Sequence, residues 1–185
     1  MDDLTHLADL LARRNLIDME IARVIGRPAH PGHIGEFLAA RVFDIDLHQS
    51  ASSRASDGVF RNGELAGRSV NIKLYSKQSS LLDMVSSDDP AFHPDFYLVM
   101  SGPAAPPASS RGTYSPLVIA SIHLFDTPSL LKDLKTSPRV VKIGIATSVR
   151  KHLWQAAMIY PEQVNPALIL SEEQRVALAL FAPTG

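Results

Sequence analysis

The sequence predicts an α/β fold, and three observations carry that prediction. Stretches with helical spacing open the chain, over residues 4–14, 17–25 and 33–43. The middle has strand character: residues 68–75 (RSVNIKLY) alternate apolar and polar, while 96–101 (FYLVMS) are apolar throughout. After residue 126 helical patterning returns and closes on Ser171-Glu172-Glu173-Gln174, a capping box. Helices bracketing about five mixed strands make one layered domain. Residues 1–44 form its helical N-terminal face, 45–125 its central core and 126–185 its C-terminal strand and helices.

Each element follows from local chemistry. Leu4, Leu7, Leu10 and Leu11 form the apolar side of the first helix, which Asn15 ends. Ile17, Ile21, Val24 and Ile25 repeat the pattern, and Gly26 is a natural C-cap. Ile34, Phe37, Leu38, Val42 and Phe43 are the buried side of the third helix. Residues 45–48 alternate and read as a short strand, and residues 49–55 as a polar loop. Residues 57–60 and 68–75 pair as strands, with Asn62-Gly63 as the turn signal between them. Residues 79–84 read as a helical turn. Residues 102–114 (GPAAPPASSRGTY) are rich in turn-forming residues and read as a mobile connection. Strands over 117–125 and 140–146 flank a helix at 127–134. A further helix runs from a Ser148 cap to Ile159, with Trp154 on its core side beside Arg150 and Lys151.

Composition narrows the classes of function. The chain has 185 residues, is 45% hydrophobic and 20% charged, and contains no cysteine, which excludes disulfides and thiolate metal sites. No apolar run is long enough to span a membrane. The Met1-Asp2-Asp3 opening lacks the layout of a signal peptide, so the protein reads as cytoplasmic. Net charge is −1, but it is unevenly spread. Residues 52–78 carry Arg54, Arg61, Arg68, Lys73 and Lys77 against Asp57 and Glu64, and residues 131–152 carry six basic groups and one acid. Two basic islands flanking an acidic middle fit either a mixed solvated surface or contact with a polyanion.

The chemistry-bearing candidates cluster around Asp57 and residues 70–75. In a strand, Val70, Ile72 and Leu74 face one side and Asn71, Lys73 and Tyr75 the other. A lysine beside an acid can orient a water next to a divalent cation, while Asp57 before Gly58 serves equally well as a turn residue. Glu36 in the third helix, Asp57 and Lys73, in this order, resemble the PD-(D/E)xK nuclease superfamily. There a helix contributes a glutamate, and a hairpin contributes an aspartate and an acid-x-lysine pair. The resemblance implies a restriction-endonuclease-like core, Mg²⁺ as cofactor, and hydrolysis of DNA phosphodiester bonds, in the setting of restriction or defence. It implies Asp57 as main metal ligand, with the Ile72 carbonyl and Glu36 beside it. Lys73 then holds the attacking water, and a homodimer cuts both strands. Arg54, Arg61, Arg68 and Lys77 are the candidate DNA contacts.

The departure is Asn71, where the superfamily carries Asp or Glu; a neutral amide removes one negative charge from the site. Glu64 or Asp83 is a candidate replacement. The alternative is a nuclease-fold binding module without catalysis, holding nucleic acid or a protein partner. Most of the chain is also similar to a bacterial domain family of unassigned function, which supports one coherent domain. Two weaker signals remain. His30, His33 and Glu36 have the spacing of an imidazole–carboxylate metal site. The first 43 residues also read as a helix-turn-helix, although Phe37, Leu38, Val42 and Phe43 mark its second helix as core.

Overall fold

In a computed structural model the described residues are 3–49, 55–87, 89–104, 116–136 and 142–183. They form a mixed α/β structure with five helices. The main sheet has six strands in the order β1 (Ile45–Leu47), β2 (Gly58–Phe60), β3 (Ser69–Tyr75), β5 (Phe96–Ser101), β6 (Ser121–Asp126) and β8 (Met158–Tyr160). β1, β2 and β3 form an antiparallel meander, β3 and β5 are parallel, and β5, β6 and β8 are antiparallel. A second, two-stranded sheet pairs β4 (Leu81–Leu82) with β7 (Thr147–Ser148).

β3 has the two faces its alternation predicts. Val70, Ile72 and Leu74 join Leu38, Ala39, Leu98, Ile122 and Leu124 in one core, under α2 (Pro31–Val42). α2 lies close to the sheet because Gly35 has no side chain: a Cβ there would sit 2.8 Å from Leu74 Cβ. The other face is not open. Tyr97, Val99 and Phe125 pack there beneath α3 (Thr127–Lys135) and α4 (Lys151–Ala157), with Leu130, Leu134 and Trp154. Tyr75 and Tyr97 on this face pin the β3–β5 crossover, their hydroxyls accepting the amides of Asp83 (3.0 Å) and Val85 (3.1 Å).

Several elements differ from the sequence reading. α1 (Asp3–Ile25) is one continuous helix of 23 residues rather than two. Asn15 is only a weak helix former, and without Gly or Pro its cost, about 0.7 kcal/mol at most, does not break a helix. Residues 81–82 form β4 and not a helical turn. Of the strand expected at 140–146, residues 142–146 are not a strand and 140–141 lie outside the described residues; β7 follows at Thr147–Ser148. α4 starts after Arg150 and gives way to β8 at Met158, because Ile159 is needed in the main sheet's core. The capping box of α5 (Glu172–Ala179) is formed: Ser171 Oγ accepts from Gln174 N at 3.2 Å, and Ser171 N donates to Gln174 Oε1 at 2.8 Å. Most of the connection expected at 102–114 lies outside the described residues.

His123, at the centre of β6, is fully buried against Phe125 and 5.0 Å from the Trp154 ring. Neither of its ring nitrogens has a partner among the described residues. Burial lowers its pKa from the ordinary 6.5 to about 4. The unfolded chain therefore binds a proton between those values that the native state does not. This group's contribution is complete above pH 6.5 and is lost as pH falls towards 4, amounting to roughly 3 kcal/mol. We predict that His123→Leu loses this part of the acid sensitivity, seen as a flatter dependence of Tm on pH between 6.5 and 4. An unchanged slope would place the acid sensitivity elsewhere.

Candidate functional site

The β1–β2–β3 meander sets Asp57 beside Val70 and Ile72 of β3, the strand that carries Asn71 and Lys73. Asp57 immediately precedes β2, and its backbone is fixed on both sides. Its amide donates to Val70 O at 2.8 Å, and its carbonyl accepts from His48 N at 2.9 Å. Gly58 is a glycine because β1 passes so close: a Cβ would lie 2.6 Å from Asp46 O. Asp57 therefore holds a set position beside β3 rather than merely marking a turn. Its Oδ2 accepts the Ile72 amide at 2.6 Å.

Burial raises the Asp57 pKa, and the negative charge of Glu36 pushes in the same direction. The Ile72 hydrogen bond opposes the rise, as do the positive charges of Lys73 and His48. Glu36, Asp57, Lys73 and His48 thus form one electrostatic neighbourhood, in which an ionised Asp57 is under-compensated. Added positive charge would lower its free energy.

Asn71 is buried beside it. Its Nδ2 donates to Ala55 O at 3.1 Å, while its Oδ1 has no hydrogen-bond partner among the described residues. A buried acceptor without a donor is costly unless something polar meets it. The N–H and C=O of one strand residue leave the same edge, so the Ile72 carbonyl points towards β2, as its amide does. Lys73 is half-buried, and no carboxylate among the described residues forms an ion pair with it.

Glu36 is the residue the structure qualifies most. It is largely buried, and its carboxylate is hydrogen-bonded and ion-paired to Arg27, from the turn between α1 and α2. His33 Nδ1 is 2.8 Å from Pro28 O, and His30 is the residue before α2. Among the described residues no three His, Cys, Asp or Glu side chains gather as a metal cluster, so His30, His33 and Glu36 do not form one. Glu64 is exposed on a 3₁₀ turn. Asp83 accepts the Ala146 amide at 2.9 Å. Neither is among the groups that act on Asp57.

The basic residues are mostly engaged. Arg61 pairs with Asp44 (3.7 Å) and Asp46 (3.8 Å), and Arg68 pairs with Asp95 (3.0 Å) while lying over the Phe96 ring. Arg150 pairs with Asp133 at 3.2 Å. Lys77 is exposed beside Ser76 and Tyr75, and Arg54 lies outside the described residues. α2 is not a protruding recognition helix, since it buries Gly35, Leu38 and Ala39 against β3. Sequence reasoning missed His48, whose Nε2 is 3.0 Å from Ser56 Oγ at the rim of the site. Its only signal is its place just after β1, opposite Asp57.

Among the described residues, no helix is long and apolar enough to cross a membrane. Compared with known protein families and with curated proteins, the chain matches none.

Proposed function

We propose that the protein is a nuclease-like phosphodiester hydrolase of the PD-(D/E)xK type, acting on DNA with Mg²⁺ at Asp57. The observation that carries this reading is the fixed Asp57 carboxylate. It is held by the Ile72 amide across the β2–β3 hairpin, while Glu36 from the preceding helix and Lys73 from the same strand act on it. The under-compensated acid, the unpartnered Asn71 Oδ1 and the Ile72 carbonyl make an all-oxygen donor set, which suits a hard cation that keeps several waters.

Bound there, Mg²⁺ supplies charge neutralisation at phosphorus and lowers the pKa of its water from about 15.7 towards neutrality. Asp57 is its anionic ligand, and Asn71 Oδ1 and the Ile72 carbonyl are neutral ones. The Lys73 ammonium orients the attacking water and offsets negative charge as the phosphorus–oxygen bond to the leaving sugar breaks. Arg27 holds Glu36 in place, which leaves Glu36 to act through water. At the turn end of the β2–β3 hairpin, Arg61 can exchange its exposed carboxylate partners for DNA phosphates, because exposed ion pairs hold by at most about 1 kcal/mol. A cytoplasmic role in restriction or defence accords with this activity.

A second reading has its own support. Asn71 in the acid position and a Glu36 neutralised by Arg27 leave Asp57 as the one unpaired carboxylate of the group. That favours a binding module, for nucleic acid or a protein partner, that has given up its chemistry. Incubation with supercoiled plasmid separates the two. Nicking in Mg²⁺ or Mn²⁺ that EDTA abolishes is the expected result. Intact plasmid that still shifts at low salt, with the shift fading as salt rises, would establish the binding module instead.

A further inference from the structure

α1 is the part of the molecule that the proposed activity leaves unexplained. None of its residues is buried, yet it carries eight large exposed apolar side chains. Six of them, Leu4, Leu7, Leu10, Leu11, Ile17 and Val24, fall within an arc of about 160° at 100° per residue. Together they expose on the order of 600 Å², as large as the biggest apolar patch usual on a whole monomer. With the stems of flanking side chains they approach the roughly 800 Å² that a standard interface takes from each partner. The half-buried residues of α1, Asp18, Ile21, Ala22 and Ile25, all lie in its C-terminal part, on the side of the same arc that turns towards α2, and Ile21 is shared between that contact and the arc. Leu10, Ile17 and Val24, at about 240–280° on the helical wheel, and the N-terminal half with Leu4, Leu7 and Leu11 remain exposed beside that contact.

The spacing and charges of that arc select its occupant. Leu7, Leu10, Arg14, Ile17, Ile21 and Val24 recur as the a and d positions of a heptad, with Arg13 and Glu20 at the flanking g positions. We infer that α1 pairs antiparallel with α1 of a second copy of this chain. In this register Leu7 meets the partner's Val24, Leu10 the partner's Ile21, and Arg14 the partner's Ile17. A two-fold axis then passes between Asn15 and Leu16. The same register sets Arg13 opposite the partner's Glu20, twice by symmetry. A parallel pair also brings Arg13 near the partner's Asp18, but it sets Arg14 in the seam against its own copy, which the antiparallel pair avoids. Arg14, already paired with Asp18 at 3.4 Å, is the single polar seam residue of the kind that fixes register and orientation. Val24 is 71% exposed on the rim of a groove between α1 and α2 lined by Phe37 and Arg41, and the partner's Leu7 enters it.

Sedimentation equilibrium of the full chain tests this. The expected mass is twice 20.1 kDa for the wild type and 20.1 kDa for Ile17→Glu. Ile17 is 57% exposed, so circular dichroism of that variant should show an unchanged fold. Arg13→Glu should weaken the dimer about tenfold or more, and adding Glu20→Arg should restore it. The cysteine-free chain also permits a direct test of orientation. A mixture of Leu7→Cys and Val24→Cys proteins should cross-link on oxidation while neither does so alone. A wild-type monomer at about 100 μM, a level that detects any interface of useful affinity, would overturn the inference. So would self-linking of either single-cysteine protein.

Discussion

Asp57→Asn is expected to abolish plasmid nicking, by about 10²–10³-fold, while raising the melting temperature of the metal-free protein. Both effects have one cause. Burial of Asp57 and its neighbour Glu36 both oppose the charge of its carboxylate. Asn keeps an acceptor for the Ile72 amide, so the hydrogen bond survives while the unfavourable charge goes. A carboxyl whose pKa is raised on folding stabilises most at low pH, and that contribution is lost as pH rises through the folded pKa. The gain in the variant is therefore present at pH 7 and vanishes below the ordinary 3.8. For a chain of this size a gain of about 1 kcal/mol corresponds to about 2–4 °C. Melting curves at pH 7 and pH 3.5 measure it, and a lower Tm at pH 7 would contradict the electrostatic account of the site. In the wild type, millimolar Mg²⁺ should raise Tm. In Asp57→Asn it should not.

Asn71→Asp is expected to act in the opposite direction on both properties. It restores the acid-x-lysine pattern but places a second buried carboxylate beside Asp57, and sets an oxygen where Nδ2 now donates to Ala55 O. Without a cation that arrangement should cost about 2–4 kcal/mol, as uncompensated buried charge does. Mg²⁺ should recover most of the loss, since each anionic ligand contributes strongly to divalent-cation affinity. Nicking should then rise about tenfold or more over wild type. Equal destabilisation with and without Mg²⁺, and no gain in nicking, would mean that Asn71 Oδ1 does not face a cation site.

The strand that carries the site was legible because its alternation is strict. Val70, Ile72 and Leu74 read as core, and they are core. What alternation leaves open is whether the other face meets solvent or a second layer. Here that face of the sheet carries a second core under α3 and α4, and Asn71 is buried with its amide on Ala55 O. Glu36 was legible as a helix residue, but its tie to Arg27, nine residues away across a turn, depends on how Gly26 and Pro28 direct the chain. The pairing of Arg61 and Arg68 was equally hidden. A basic island in the sequence says nothing of Asp44, Asp46 and Asp95, which the meander and β5 bring alongside. Two-residue strands such as β4 and β7 have no sequence signal of their own, because their pairing partners define them. His48 was missed because one histidine after a three-residue strand carries no pattern. Only the β1–β2 pairing puts it near Asp57.

The measurement that tests the central claim most directly is single-turnover cleavage of supercoiled plasmid in Mn²⁺ by wild type and by Lys73→Ala, purified in parallel. Lys73 makes no ion pair among the described residues, so truncating it should leave the fold intact. The account predicts that the wild type nicks and that Lys73→Ala is slower by about 10²-fold or more, the usual loss on removing a group that positions water or offsets transition-state charge. Equal rates for the two proteins, or no nicking by either, would contradict it.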